Sequence, residues 1–254
     1  MSAKAPQRPS RMWWGFACGV FGAAVLVAAT QVAAQDVVSA TYEGPTNRYA
    51  HAVLGDDIEY TTLVVRLSNG AQTSATWPEG MVFEDIAPRL ADLDGDGRSE
   101  IITIEASDTE GARLGIWGVR DGRLVPLAAT PHIGTRFRWL APVAWEDLDG
   151  DGVVELAYVD RPHLAKTLRV WRYEPLSDGE VQLTEVATLP GVTNHRIGWD
   201  YIAGGTRNCG QGPEMVLADA TWSRVVSVTF DGTGLTRTDI GPYSAAALEG
   251  ALGC

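Results

Sequence analysis

The chain is poor in positive charge. Its 20 lysines and arginines stand against 32 aspartates and glutamates, a net charge of −12. Nucleic acid is therefore excluded as a partner, because a phosphate backbone is held by clustered cations. Only three cysteines occur in 254 residues, and neither a Cys-His arrangement nor a His-rich spacing for zinc is present. Also missing are a serine nucleophile elbow and a phosphate-binding glycine loop. Beyond the N-terminal segment, no stretch before residue 244 has the 3.6-residue apolar period of a helix. The remaining chain is acidic and β-prone and has no catalytic signature, although an acid pair for glycoside hydrolysis stays open because acids abound.

Residues 1–34 read as separable. Lys4, Arg8 and Arg11 make a positive start, and Met12 to Gln35 carries no charge and includes Val32-Ala33-Ala34, small residues suited to signal peptidase cleavage. Export to the periplasm or medium is the expectation. The alternative is an uncleaved anchor over residues 12–34, since the uncharged run is long enough to cross a bilayer, and a membrane enters only in that case. Cys18 belongs to this apolar run. Cleavage removes three basic residues and no acidic ones, leaving −15 on residues 35–254. Cys209 and Cys254 then remain, either paired in an oxidising compartment or as two free thiols.

An acidic nonapeptide occurs twice, as Asp92-Leu-Asp94-Gly-Asp96-Gly-Arg98-Ser-Glu100 and Asp147-Leu-Asp149-Gly-Asp151-Gly-Val153-Val-Glu155. Alternate carboxylates bent round by two glycines repel one another at about 4 kcal/mol per close pair, so the loop calls for a counter-cation. Calcium, which takes six to eight oxygens in flexible geometry, is the expected occupant, one ion in each loop. An EF-hand is excluded: its twelfth position falls on Thr103 and Tyr158, and β-branched runs follow both loops where an exiting helix is required.

The nonapeptides belong to a larger repeat. Asp92 to Asp147 is 55 residues and Trp117 to Trp171 is 54. After each ninth-position Glu comes a β-prone run closed by an acid, Ile101 to Glu105 and Leu156 to Asp160. Met215 to Asp219 repeats this after Glu214, and a weaker copy begins at Glu59. Asn69-Gly70, Asp121-Gly122, Asp178-Gly179 and Asp231-Gly232 supply hairpin turns in step. The expectation is an all-β fold, a β-propeller of four roughly 50-residue, four-stranded units at about 45–83, 84–132, 133–190 and 191–243. Val37 to Tyr42 or the tail from Ser244 would complete a terminal blade. An open or dimerising set of blades is the competing arrangement.

These residues resemble the FG-GAP and VCBS repeats of integrin-type propellers, whose blades carry Asp-x-Asp-x-Asp-Gly-x-x-Asp/Glu loops between their first two strands. Ala87-Pro88 and Ala141-Pro142 match the Ala-Pro of the family name; the Phe-Gly is absent. The resemblance implies Asp92, Asp94, Asp96 and Glu100 as calcium ligands with the Arg98 carbonyl. It likewise implies Asp147, Asp149, Asp151 and Glu155 with the Val153 carbonyl. The fourth unit has lost the aspartates from Asn208-Cys-Gly-Gln-Gly-Pro-Glu214 and the first keeps only Gly55 to Glu59, so no calcium is expected there. A Cys209–Cys254 bridge would hold the fourth loop in its place.

Arg48, Arg89, Arg138 and Arg196 recur before the inner strands and would form a ring for an anionic ligand if they face a central funnel; the alternative is pairing with nearby acids. His51 and His195 lie alongside. Trp117, Trp171 and Trp222 recur as inter-blade packing, whereas Trp139, Trp145 and Trp199 could stack on sugar. The functional expectation is a non-enzymatic, calcium-stabilised exported module that binds a protein or carbohydrate partner. The alternative is a propeller lyase or hydrolase acting on polysaccharide in the funnel, and a membrane-tethered assembly factor is a third reading.

Overall fold

The computed structural model describes residues 1–2, 36–177 and 179–254. Nearly all of the N-terminal segment and Asp178 thus lie outside the described residues. In chain order the strands are β1 (Val37–Thr46), β2 (Glu59–Leu67), β3 (Gln72–Thr76), β4 (Met81–Phe83), β5 (Arg89–Ala91), β6 (Glu100–Ser107), β7 (Gly111–Arg120), β8 (Arg123–Ala129) and β9 (Leu140–Glu146). They continue as β10 (Glu155–Asp160), β11 (Thr167–Pro175), β12 (Val181–Pro190), β13 (Val192–Thr193), β14 (Gly205–Asn208), β15 (Pro213–Asp219), β16 (Arg224–Phe230) and β17 (Leu235–Pro242), followed by helix α1 (Ala245–Gly250). All of these elements lie in the unit Gln35–Cys254.

The fold is all-β, three antiparallel sheets of eight, four and five strands with one short helix among the described residues. Turn chemistry sets the hairpins. Asp121 and Gly122 both have positive φ, 51° and 72°, the mirror-image turn whose twist suits the β7–β8 pair. Strands β9 to β12 are sequential neighbours. In the units on either side the corresponding first strand is interrupted: β4 and β5 pair with opposite halves of β6, and β13 and β14 with opposite halves of β15.

The first unit departs from the sequence alignment. Asn69-Gly70 joins β2 to β3, and this turn lies by the acidic-loop end, where Asp36 accepts from Ser68 through its carbonyl and from Ser99 through its carboxylate. The loop before Glu59 sits at the other end, with Tyr49 packed on Val82, Ala106 and Phe137. Strands β1 to β3 therefore correspond to the second, third and fourth strands of the later units, and Glu59 does not stand where Glu100 and Glu155 do. An Asx-Gly turn constrains register more tightly than a lone Glu, and here it decides.

Apolar clusters join the layers in series. Leu63, Val65, Phe83, Ile101 and Trp117 pack the first strands on the second unit. Ile102, Ile104, Trp139, Leu156 and Trp171 join the second to the third. Val159, Leu168, Met215 and Val226 join the third to the fourth. Burying a large apolar side chain contributes about 1.5–3 kcal/mol, so these seams carry most of the fold's cohesion. The tail Ser244 to Cys254 adds no strand. Leu248 of α1 covers Val216 and Val225 of the fourth unit instead, and Ser244 caps the helix by accepting from Ala247 N–H at 3.0 Å. The first unit meets the fourth where Gly198 N–H donates to the Val53 carbonyl, at 3.0 Å.

Candidate metal centre

The two nonapeptides fold alike. In the first, Asp92 Oδ1 and Oδ2 accept from the Gly95 and Gly97 N–H groups (2.8 and 2.9 Å), Asp94 from Asp96 N–H, Asp96 from Arg98 N–H, and Glu100 from Leu93 N–H. The second repeats each bond: Asp147 with Gly150 and Gly152, Asp149 with Asp151, Asp151 with Val153, Glu155 with Leu148. Glycine is needed where it stands, for Gly95, Gly97, Gly150 and Gly152 all have φ between 76° and 88°.

Carboxylate oxygens of Asp92, Asp94 and Asp96 lie within 4.8 Å of one another, as do those of Asp147, Asp149 and Glu155. Oxygens about 2.4 Å from one ion can be at most about 4.8 Å apart, so the spacing and the all-oxygen donor set fit a calcium-sized cation. Residues 92–158 match the FG-GAP-like repeat. That stretch holds both loops and the strands β6 to β9 between them. No curated protein matches the chain. The crystal structure of Chaetomium thermophilum Raptor is similar over 82% of this chain and 26% of its own, at 12% identity and a TM-score of 0.26. This chain thus spans about a quarter of that protein's length.

The two loops of the FG-GAP-like stretch differ in their neighbours. The first is exposed at Asp92, Asp94 and Asp96, and its one basic contact is local, Arg98 Nε donating to Asp96 at 2.8 Å. Glu100 behind it is pushed up to about 7 by burial, with Asp94, Asp96 and Asp92 adding to the effect against the Leu93 N–H bond. The second loop is met by Arg172 of β11, which reaches Asp149 (2.8 Å), Asp151 (3.1 Å) and Glu155 (2.8 Å). Burial still raises Glu155, opposed by the Leu148 N–H and by Arg172. Asp149 also lies under Gly232, where an added Cβ would come within 2.8 Å of its Oδ2. Arg172 was not expected as part of the site. Its signal is in the repeat itself, because the residue after Trp171 is arginine where the residue after Trp117 is Gly118.

The outer copies are held otherwise. Cys209 is bonded to Cys254, tying the fourth loop to the chain end, and Glu214 takes Arg207 at 2.6 Å. Glu59 is buried without a basic partner among the described residues, and its carboxyl is pushed up to about 9 by burial and by Glu84, Asp56 and Asp85.

The four arginines do not form a ring. Arg48 donates to the Trp77, Pro78 and Met81 carbonyls. Arg89 is paired with Asp85 at 2.6 Å, and Arg138 bonds the Phe137 carbonyl. Arg196 is exposed on the fourth unit. Where the inner strands begin, the space is filled. Trp139 is buried and donates to the Glu84 carbonyl, and its ring centroid is 4.8 Å from that of His195. His195 is 0% exposed. Its Nε2 donates to the Trp199 carbonyl (3.0 Å), so its Nδ1 accepts from His163 Nε2 (3.0 Å). His51 bonds Glu84. Burial lowers His51 to about 4 and raises Glu84 well above the carboxylate range, so it favours the neutral form of each. Trp117 and Trp171 pack between layers as expected. Trp222 does not: it sits on the turn between β15 and β16, among Arg196, Trp199 and Tyr243. Among the described residues no helix is long and apolar enough to cross a membrane.

Proposed function

We propose that this chain is an exported β-propeller of FG-GAP type, built from four units. In this reading two calcium ions fasten the middle units, and the protein serves as an interaction module for a protein or carbohydrate partner. The observation that carries the ion assignment is the duplicated loop: the same backbone N–H pattern in both copies turns carboxylate oxygens inward to within 4.8 Å. Asp92, Asp94, Asp96 and Glu100 with the Arg98 carbonyl would hold one ion. Asp147, Asp149, Asp151 and Glu155 with the Val153 carbonyl would hold the other, after Arg172 has moved aside. A bound divalent cation offsets carboxylate repulsion and stabilises only the folded loops.

The ions are fasteners in this reading because the loops stand apart from the packed centre. Trp139, His163 and His195 pack ring against ring and His195 is 0% exposed, which supports a packing role for these histidines over a catalytic one. The test is a melting curve in calcium and again in excess chelator, with metal removal verified by elemental analysis. A drop that calcium reverses, and that Asp94→Ala with Asp149→Ala reproduces, is expected; an unchanged curve would refute the assignment.

A further inference from the structure

The fourth unit carries an aromatic surface that the calcium loops do not explain. Arg196 lies over three rings, with its guanidinium carbon 4.5 Å from the Trp222 centroid, 5.7 Å from Trp199 and 5.8 Å from Tyr243. It is exposed, and no carboxylate among the described residues pairs with it. Arg89, by contrast, spends its charge on Asp85. A guanidinium held on rings by cation–π contact, with no carboxylate on it, keeps N–H donors for an incoming carboxylate, which arginine takes two-pronged.

The rings are fixed as well. Trp199 and Tyr201 stack at 4.6 Å with planes 11° apart, and Tyr201 is 46% exposed. Trp222 has φ of 59°, a left-handed conformation that a bulky side chain adopts only when its surroundings impose it. Asp219 imposes it, accepting from Thr221 Oγ1 (2.6 Å), Ser223 N–H (2.6 Å) and Arg224 N–H (2.8 Å) around the turn. A cleft of about 360 Å³ continues the surface from Tyr201 and Tyr243 to Leu248 and Glu249, in the size range of small-ligand pockets.

We infer that this surface binds a uronate-bearing oligosaccharide: the sugar's carboxylate on Arg196, its C–H face on the outer face of Tyr201, which is backed by Trp199, and its hydroxyls towards Glu249. A sugar ring offers one flat apolar face with polar groups at its rim, and the site offers flat rings with a free cation at one edge and an acid at the other. A peptide would need a deeper apolar hole for its side chains. The inference rests on the interaction-module reading and assigns that module its ligand class and place.

The test titrates the full chain with tetragalacturonate by calorimetry and tryptophan fluorescence, with galactotetraose as the uncharged comparator and chromatography of the sugar afterwards. Tetragalacturonate should bind and perturb the fluorescence, and galactotetraose should bind about tenfold or more weakly. Arg196→Gln should weaken tetragalacturonate about tenfold or more at an unchanged melting temperature, and Arg196→Lys, which keeps the charge but loses the fork, by several-fold. No binding, equal binding of the two sugars, or full affinity in both Arg196 variants would overturn the site. Cleavage of tetragalacturonate that depends on Arg196 would leave the site standing and overturn the non-enzymatic module.

Discussion

The two acidic loops carry the same nine-residue pattern and the same backbone hydrogen bonds, yet one faces solvent and the other faces an arginine. Around Asp92, Asp94 and Asp96 the one ion pair among the described residues is that of Arg98 with Asp96 at the rim. Around Asp149, Asp151 and Glu155 the guanidinium of Arg172 sits among three carboxylates. The difference arises one strand away, where Gly118 follows Trp117 and Arg172 follows Trp171. A motif thus determines how a loop can coordinate, while its neighbour determines how much it needs an ion. The first loop should depend on calcium more than the second, whose resident cation must be displaced before calcium enters.

The largest expected effect would break the comparison by stripping both loops. At a hundredfold excess of calcium over Kd, two sites add about 5 kcal/mol, so verified chelation should lower the melting temperature by about 10–20 °C. Scanning calorimetry reads this directly. The fourth loop offers a third kind of fastening, since Cys209–Cys254 closes a 45-residue separation. Cys209→Ser with Cys254→Ser should cost about 4 kcal/mol in chelator and in calcium alike, whereas a loss that calcium rescues would mean this loop also takes an ion.

Arg172→Gln sharpens the contrast. Arg172 is part-buried, and removing a charged hydrogen-bond partner of this kind costs about 1.5–3 kcal/mol. Denaturant titration should show that loss in chelator and most of it recovered in calcium, and calorimetric titration should show two unequal calcium sites becoming alike. A mutant whose two sites stay unequal would mean that Arg172 is not what separates them. The smallest effect lies away from both loops. His51 and His163 are held at about 4, by burial above all, so at these two groups the unfolded chain binds more protons between pH 6.5 and 4. Their share of the stability, present above pH 6.5, is lost as pH falls through that window, while the raised Glu59, Glu84 and Glu100 act in the opposite direction. His163→Gln should raise the melting temperature more at pH 4.5 than at pH 6.5 relative to the parent chain, in chelator as in calcium. An unaltered slope would place the sensitivity elsewhere.

Much of this was legible from residues close in sequence. Hairpins at Asp121-Gly122 and Asp231-Gly232 follow from turn chemistry, and the turn of Asp92 to Glu100 follows from its glycines, because each is set within a few residues. The first unit shows the limit. Glu59 looks like Glu100, but the register imposed by Asn69-Gly70 carries it to the other end of the strands. Arg48, Arg89, Arg138 and Arg196 share a spacing and not a place, since interruptions after β4 and after β13 shift where each side chain emerges.

The amino-acid sequence by itself determined the all-β character, the hairpin positions and the two oxygen-rich loops, because these rest on φ preferences, β propensity and side-chain contacts with nearby backbone. Tertiary structure alone decided that Arg172 enters the second loop, that His163, His195 and Trp139 pack together, and that Arg196 lies on Trp222 with no carboxylate partner among the described residues. Those outcomes join residues tens of positions apart, and which of them meet depends on strand register and layer packing, which no local preference encodes.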